Sequence, residues 1–184
     1  MLCQDYNLKA LDLGLSVKWA DRNIGARTPS DIGHYYAWGE IKTKRDYSDE
    51  TYQFIDDGAY IDIGQDIAAT EYDVAAMQLG KGWRMPTMYE VAELFSLCLK
   101  DIEERDGIIG VKFVGPNGRS IFIPAGGCKV GKEKGDVGEF GFYWTSTRTF
   151  GRFYSAACMC FDQEECNIMD AYRRMGCPIR PVHD

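Results

Sequence analysis

The stretch from Gly80 to Leu99 constrains the fold more than any other, because it joins a helix end, a short extended segment and a second helix in direct succession. Gly80 closes the first helix. In Trp83-Arg84-Met85-Pro86 the proline fixes its own φ, lacks an N–H and biases Met85 away from the helical region, so the chain runs extended there. Thr87 and Glu90 then stand in the Thr-x-x-Glu arrangement, in which the hydroxyl caps the N3 amide and the carboxylate reaches back to the N-cap amide. Val91, Leu94, Phe95 and Cys98 follow at helical spacing as one apolar stripe. Trp83 is expected to anchor the core between the two helices, with a truncation cost of about 3–5 kcal/mol.

Before this stretch, Leu13, Leu15, Val17 and Trp19 alternate with polar or small residues from Leu11 to Ala20, which predicts a half-buried strand. His34 to Glu40 reads as a short aromatic strand, and His34, with no partner in sight, reads as a structural imidazole. Residues 41–65 have no sustained period and predict a long surface excursion. Its Asp56, Asp57 and Asp62 do not match a calcium loop, and we assign no metal to them. Thr70 and Asp73 open the first helix.

After the second helix, Asp101 to Asp106 reads as its charged end and Gly107 as its stop. Ile108 to Pro124 predicts a β-hairpin turning at Gly115-Pro116-Asn117-Gly118. The glycines of residues 125–141 match no phosphate-cradling pattern and serve turns. Phe142 to Thr147, Tyr154 to Phe161 and a terminal Pro178 to Val182 complete the predicted strands.

At 184 residues we read one domain, residues 1–184. A net charge of −7 without a dense Lys/Arg cluster argues against nucleic acid as a partner. No apolar run is long enough to span a membrane, and no basic-then-apolar leader is visible. The seven cysteines, Cys3, Cys98, Cys128, Cys158, Cys160, Cys166 and Cys177, lack Cys-x-x-Cys spacing and do not indicate a disulfide framework.

Taken in order, Asp12 to Ala20, Tyr36-Ala37-Trp38-Gly39-Glu40, Gly82-Trp83-Arg84-Met85-Pro86-Thr87, Gly115 to Pro124, Tyr143-Trp144-Thr145-Ser146 and Ile179-Arg180-Pro181-Val182 resemble the Fibrobacter succinogenes major paralogous domain, abundant in Bacteroidota. The resemblance implies an α+β, C-type lectin-like fold related to the formylglycine-generating enzymes: two helices flank a twisted, mostly antiparallel sheet, and the termini pair. It also implies an extracellular or cell-surface location. The Glu-Pro-Asn and Trp-Asn-Asp motifs of calcium-dependent lectins are missing, so no lectin metal site is carried over.

Residues 147–177 depart from the family and are rich in Arg, Tyr, Phe and Met, residue types that contact surfaces favour. We therefore expect a non-catalytic binding or adhesion module without a cofactor. Its glycan or protein ligand would be held by Arg148, Phe150, Arg152, Tyr154, Tyr172 and Arg173, a C-terminal face of the kind that retroelement-driven systems of similar fold diversify. The alternative is a thiol- or metal-dependent enzyme related to formylglycine generation. Cys158 and Cys160, which share a strand face, would then supply soft ligands.

Overall fold

The computed structural model describes residues 7–80 and 82–184; Cys3 lies outside them. In chain order the strands are β1 (Ala10–Leu11), β2 (Lys18–Ala20), β3 (Ile55–Asp56), β4 (Ala59–Tyr60), β5 (Trp83–Arg84), β6 (Leu99–Arg105), β7 (Ile108–Val114), β8 (Ser120–Pro124), β9 (Cys128–Val130), β10 (Glu133–Gly135), β11 (Gly141–Arg148), β12 (Ser155–Phe161), β13 (Cys166–Tyr172) and β14 (Val182–His183). Helix α1 (Val74–Leu79) precedes β5 and α2 (Met88–Leu97) follows it. The class is α+β. Its ladders are antiparallel and form sheets of order β1-β2-β14-β5, β6-β7-β8 and β11-β12-β13, with two small ribbons, β3-β4 and β9-β10. Among the described residues no helix is long and apolar enough to cross a membrane.

The predicted helix starts form as their side chains dictate. The Asp73 carboxylate accepts from the N–H groups of Ala75 and Ala76, and Gly80 ends α1 at φ +84°. Thr87 and Glu90 close a reciprocal capping box on α2, and Arg84 grips the same Glu90 carboxylate with two bonds of 2.9 and 2.6 Å.

Strands β11 and β12 carry the core. Their alternate residues feed two apolar clusters on opposite faces of the sheet. Tyr143, Met159 and Phe161 join Trp19, Val91, Leu94 and Phe113 on one face. Trp144, Cys158 and Ala156 join Tyr36, Trp38, Met85 and Ile179 on the other.

Four sequence expectations need correction. Leu11 to Ala20 is not one strand: Asp12 accepts the N–H of Gly14, whose φ is +77°, and the chain kinks between β1 and β2 while keeping Leu13, Val17 and Trp19 buried. The tip of the β7–β8 hairpin docks on that kink, Asn117 donating to the Asp12 carbonyl at 2.9 Å. A side chain at Gly115 would clash with the Leu13 carbonyl oxygen.

Residues 99–105 form strand β6 rather than the end of a helix. Asp106 and Gly107, at φ +53° and +77°, make the two-residue turn into β7 that an Asp-Gly pair favours. His34 to Glu40 is irregular, held by a bridge from Tyr36 to Cys177 and by the N–H groups of His34 and Trp38 on the Ile24 and Arg173 carbonyls, although Tyr35 to Trp38 are buried as their rings suggest. Trp83 is only half-buried: it pairs with His183 across β5 and β14 and meets that ring edge-on at 5.0 Å.

The excursion of residues 41–65 is anchored by its own aromatics. Tyr47 and Tyr52 are buried with Tyr35, Phe54 and Tyr60 around them, and their hydroxyls donate to the carbonyls of Tyr35 and Trp38. Buried Glu40 is spent on Lys44 at 2.8 Å and on the Gln53 N–H.

Candidate ligand-binding face

The connection between β11 and β12 is a tight loop, with Gly151 at φ +72° at its tip. The Thr149 N–H bonds to the Ser155 carbonyl and the Arg152 N–H to that of Thr149. Phe150 is 91% exposed, and Phe153, Tyr154 and, at the end of β13, Tyr172 are each close to half exposed. The rings of Tyr154 and Tyr172 lie 5.7 Å apart at a tilt of 34°, and the Arg174 guanidinium sits 4.4 Å above Tyr172. Beside them Asp170 accepts from Arg152 and from the Thr149 hydroxyl, both at 2.8 Å. One surface thus holds aromatic faces, a cation and an ion pair within reach of solvent.

Four of the six residues expected on a ligand face, Phe150, Arg152, Tyr154 and Tyr172, are exposed here. Arg148 and Arg173 are not; they lie beneath that surface. Both are almost wholly buried.

Arg173 lies beneath the surface and ties the excursion to the loop. It donates to the Tyr52 hydroxyl at 2.9 Å, to the Ile61 carbonyl at 2.9 Å and to the Phe153 carbonyl at 2.7 Å, and its guanidinium faces the rings of Trp38, Tyr52 and Tyr60. Arg148 donates through Nε to the Gly64 carbonyl at 3.2 Å, has Asp62 at 3.8 Å, and lies 4.3 Å from the centre of the Phe153 ring. Residues 61–64 of the excursion therefore border the face, and exposed Ile61 extends it. Sequence reasoning missed Ile61, because only the Arg173 bonds bring it there.

The thiols lie elsewhere. Cys158 is fully buried, and Cys160, two residues along the same strand face, is partly buried. Burial pushes the Cys160 thiol up to about 12, and burial with the nearby Cys158 thiol raises Cys177. Cys98 and Cys128 are pushed up to about 11, again first by burial. Among the described residues no three His, Cys, Asp or Glu side chains are grouped to hold a metal. His34 packs against Gly25, with Nδ1 3.4 Å from the Tyr36 hydroxyl, and burial lowers its pKa.

No protein-family model, curated protein or solved structure matches this chain.

Proposed function

We propose that the protein is a non-catalytic binding or adhesion module of C-type lectin-like fold that holds a glycan or protein ligand on the surface formed by residues 149–154 and Tyr172. The observation that carries this reading is the concentration of exposed rings on one short loop and the adjoining strand end, over a buried arginine that donates to the Phe153 carbonyl. Aromatic side chains turn about only two bonds, so they give large contact area at little cost in conformational freedom.

The lectin-like assignment draws support from the pairing of β2 with β14, which brings residues 18 and 19 beside residues 182 and 183, together with two helices and an antiparallel three-stranded sheet. A cell-surface setting accords with the family resemblance. A thiol-dependent enzyme is the weaker reading, since Cys158 is fully buried and Cys160 partly so, away from the exposed face, and burial raises the Cys160 thiol.

The test is capture on a glycan array and from native extracts by the immobilised protein, each compared with a Phe150→Ala, Tyr172→Ala double variant. Capture lost in the double variant supports the assignment, and equal capture by both proteins overturns it.

A further inference from the structure

Beneath the exposed rings, two guanidinium groups have hydrogen-bonding capacity that the chain does not use. Among the described residues, Arg173 Nη2 and Arg148 Nη1 are buried and have no hydrogen-bond partner. Arg173 makes no ion pair with any described residue, and Arg148 has only Asp62, whose 3.8 Å approach is to Nε. Leaving a charge-bearing donor unpaired in the interior costs several times what an ordinary hydrogen bond contributes. The acidic side chains nearby are committed: Glu40 to Lys44 and Gln53, Asp170 to Arg152 and Thr149.

Both arginines belong to one face of the sheet. Arg148 stands opposite Ala156, and Ala156 opposite Ala171, so one small side chain, Ala156, separates Arg148 from Ala171 in a row across three strands. Arg173, two residues beyond Ala171, returns to that face and packs on Trp38. Phe153 joins the two: its carbonyl accepts from Arg173 and its ring covers Arg148. That ring is itself 48% exposed and sits on the loop whose tip is Gly151.

Resting on the ligand-face reading above, we propose that Arg148 and Arg173 form a carboxylate-binding site that opens when the Phe153 ring swings outward, so that the ligand taken by this face carries an acidic group. A carboxylate suits the pair because its two oxygens accept from guanidinium donors in a common plane and its charge offsets the buried cations. Water would satisfy the donors but leave the charge.

The site is read with acetate as the probe. Thermal unfolding in sodium acetate is compared with sodium chloride at equal ionic strength, and an acetate-specific rise of about 2–4 °C at 0.1 M is expected for a Kd of about 20 mM. Arg148→Gln removes the rise, whereas Phe153→Ala keeps it. Should Arg148→Gln fail to fold, guanidinium ¹⁵N spectra of the unaltered protein show acetate-dependent shifts at Arg148 and Arg173. Glucuronate and N-acetyl-aspartate amide then tell a sugar acid from an acidic side chain as the source of the carboxylate. Equal effects of acetate and chloride, a rise retained in Arg148→Gln, or unmoved guanidinium signals overturn the proposal. Acetate needs no contact with Phe150 or Tyr172, so this result stands apart from success or failure in ligand capture.

Discussion

The Nε of Arg180 donates to the side-chain oxygen of Asn23 at 2.7 Å across 157 residues of sequence. The same guanidinium reaches the carbonyls of Ala20 at 3.1 Å and Phe122 at 2.8 Å, and Asn23 passes the connection on to the Tyr143 hydroxyl at 3.0 Å. Arg180 is fully buried, and that burial pulls its pKa down to about 10, against which Tyr143 acts. One side chain thus holds the β2 end, the β8 strand and the β11 core strand to the segment before β14.

Arg180→Ala is therefore expected to destabilise the protein by about 3–5 kcal/mol, because it opens a cavity and strands the Asn23 oxygen and two carbonyls at once. Arg180→Lys should recover only part of this, since an ammonium cannot make the same planar set of bonds. Urea denaturation measures both, and a loss under about 1 kcal/mol for the alanine variant would contradict the hub.

Trp83 and Trp144 should separate clearly. Trp144 is fully buried and donates to the Tyr36 carbonyl at 2.8 Å, so Trp144→Ala is expected to cost about 3–5 kcal/mol. Trp83, partly buried against His183, should cost about 1–2 kcal/mol. Similar midpoints for the two variants in guanidinium chloride would mean that the β5–β14 edge is core.

The exposed rings predict a split between binding and stability. Phe150→Ala and Tyr172→Ala should each move stability by less than about 0.5 kcal/mol while weakening capture of a screened ligand, by about 2 kcal/mol where the ring is a central contact. Arg173→Ala should do the reverse first: the excursion loses its tie to Phe153 and Tyr52, and protection of the residues 52–61 amides in hydrogen exchange falls.

Acid should act through Glu90. Burial pushes its carboxyl up, but Arg84, the Thr87 N–H and the Thr87 hydroxyl together bring it below the ordinary range. A carboxyl depressed in the folded state contributes stability that is complete above its unfolded pKa, about 4.3, and is lost as pH falls through the lower folded value. Glu90→Gln should thus be less stable than the parent at pH 7, and the gap should close below about pH 4. Stability followed against pH for both proteins tests this, and a gap that stays constant to pH 3 rules out the assignment.

What the sequence revealed and what it hid follow from the range of the forces involved. The α2 start was legible because Thr87, Glu90 and Pro86 act on backbone within three or four residues of themselves. The β7–β8 hairpin was legible because its turn and its alternating apolar residues lie side by side. Strand β6 was missed although Asp106-Gly107 marked its turn, since Lys100, Asp101, Glu103 and Glu104 look like a solvated helix end and only pairing with β7 extends them. Strand β13 was missed because it is an edge with much of its length exposed, and so lacks strong period-two burial.

On the candidate face, residue type alone singled out Phe150, Arg152, Tyr154 and Tyr172, which are exposed. It could not separate Arg152 from Arg173, which differ in what lies over them and not in their neighbours along the chain. The excursion that buries Arg173 is more than a hundred residues away in sequence.

Strand β14 is two residues long, yet it lies between β2 and β5, with Val182 opposite both Trp19 and Arg84. Until residues 179–183 have been synthesised, β2 and β5 cannot be joined, and each presents an unpaired edge beside otherwise completed apolar surface. Local elements such as the β7–β8 hairpin can form early, but the closing step depends on contacts of very long sequence separation and is correspondingly slow. During that interval two open edges are available to other chains. A chain stopped before Ile179 lacks the partner of both strands, so it is a candidate for aggregation rather than a slightly weaker form of the same fold.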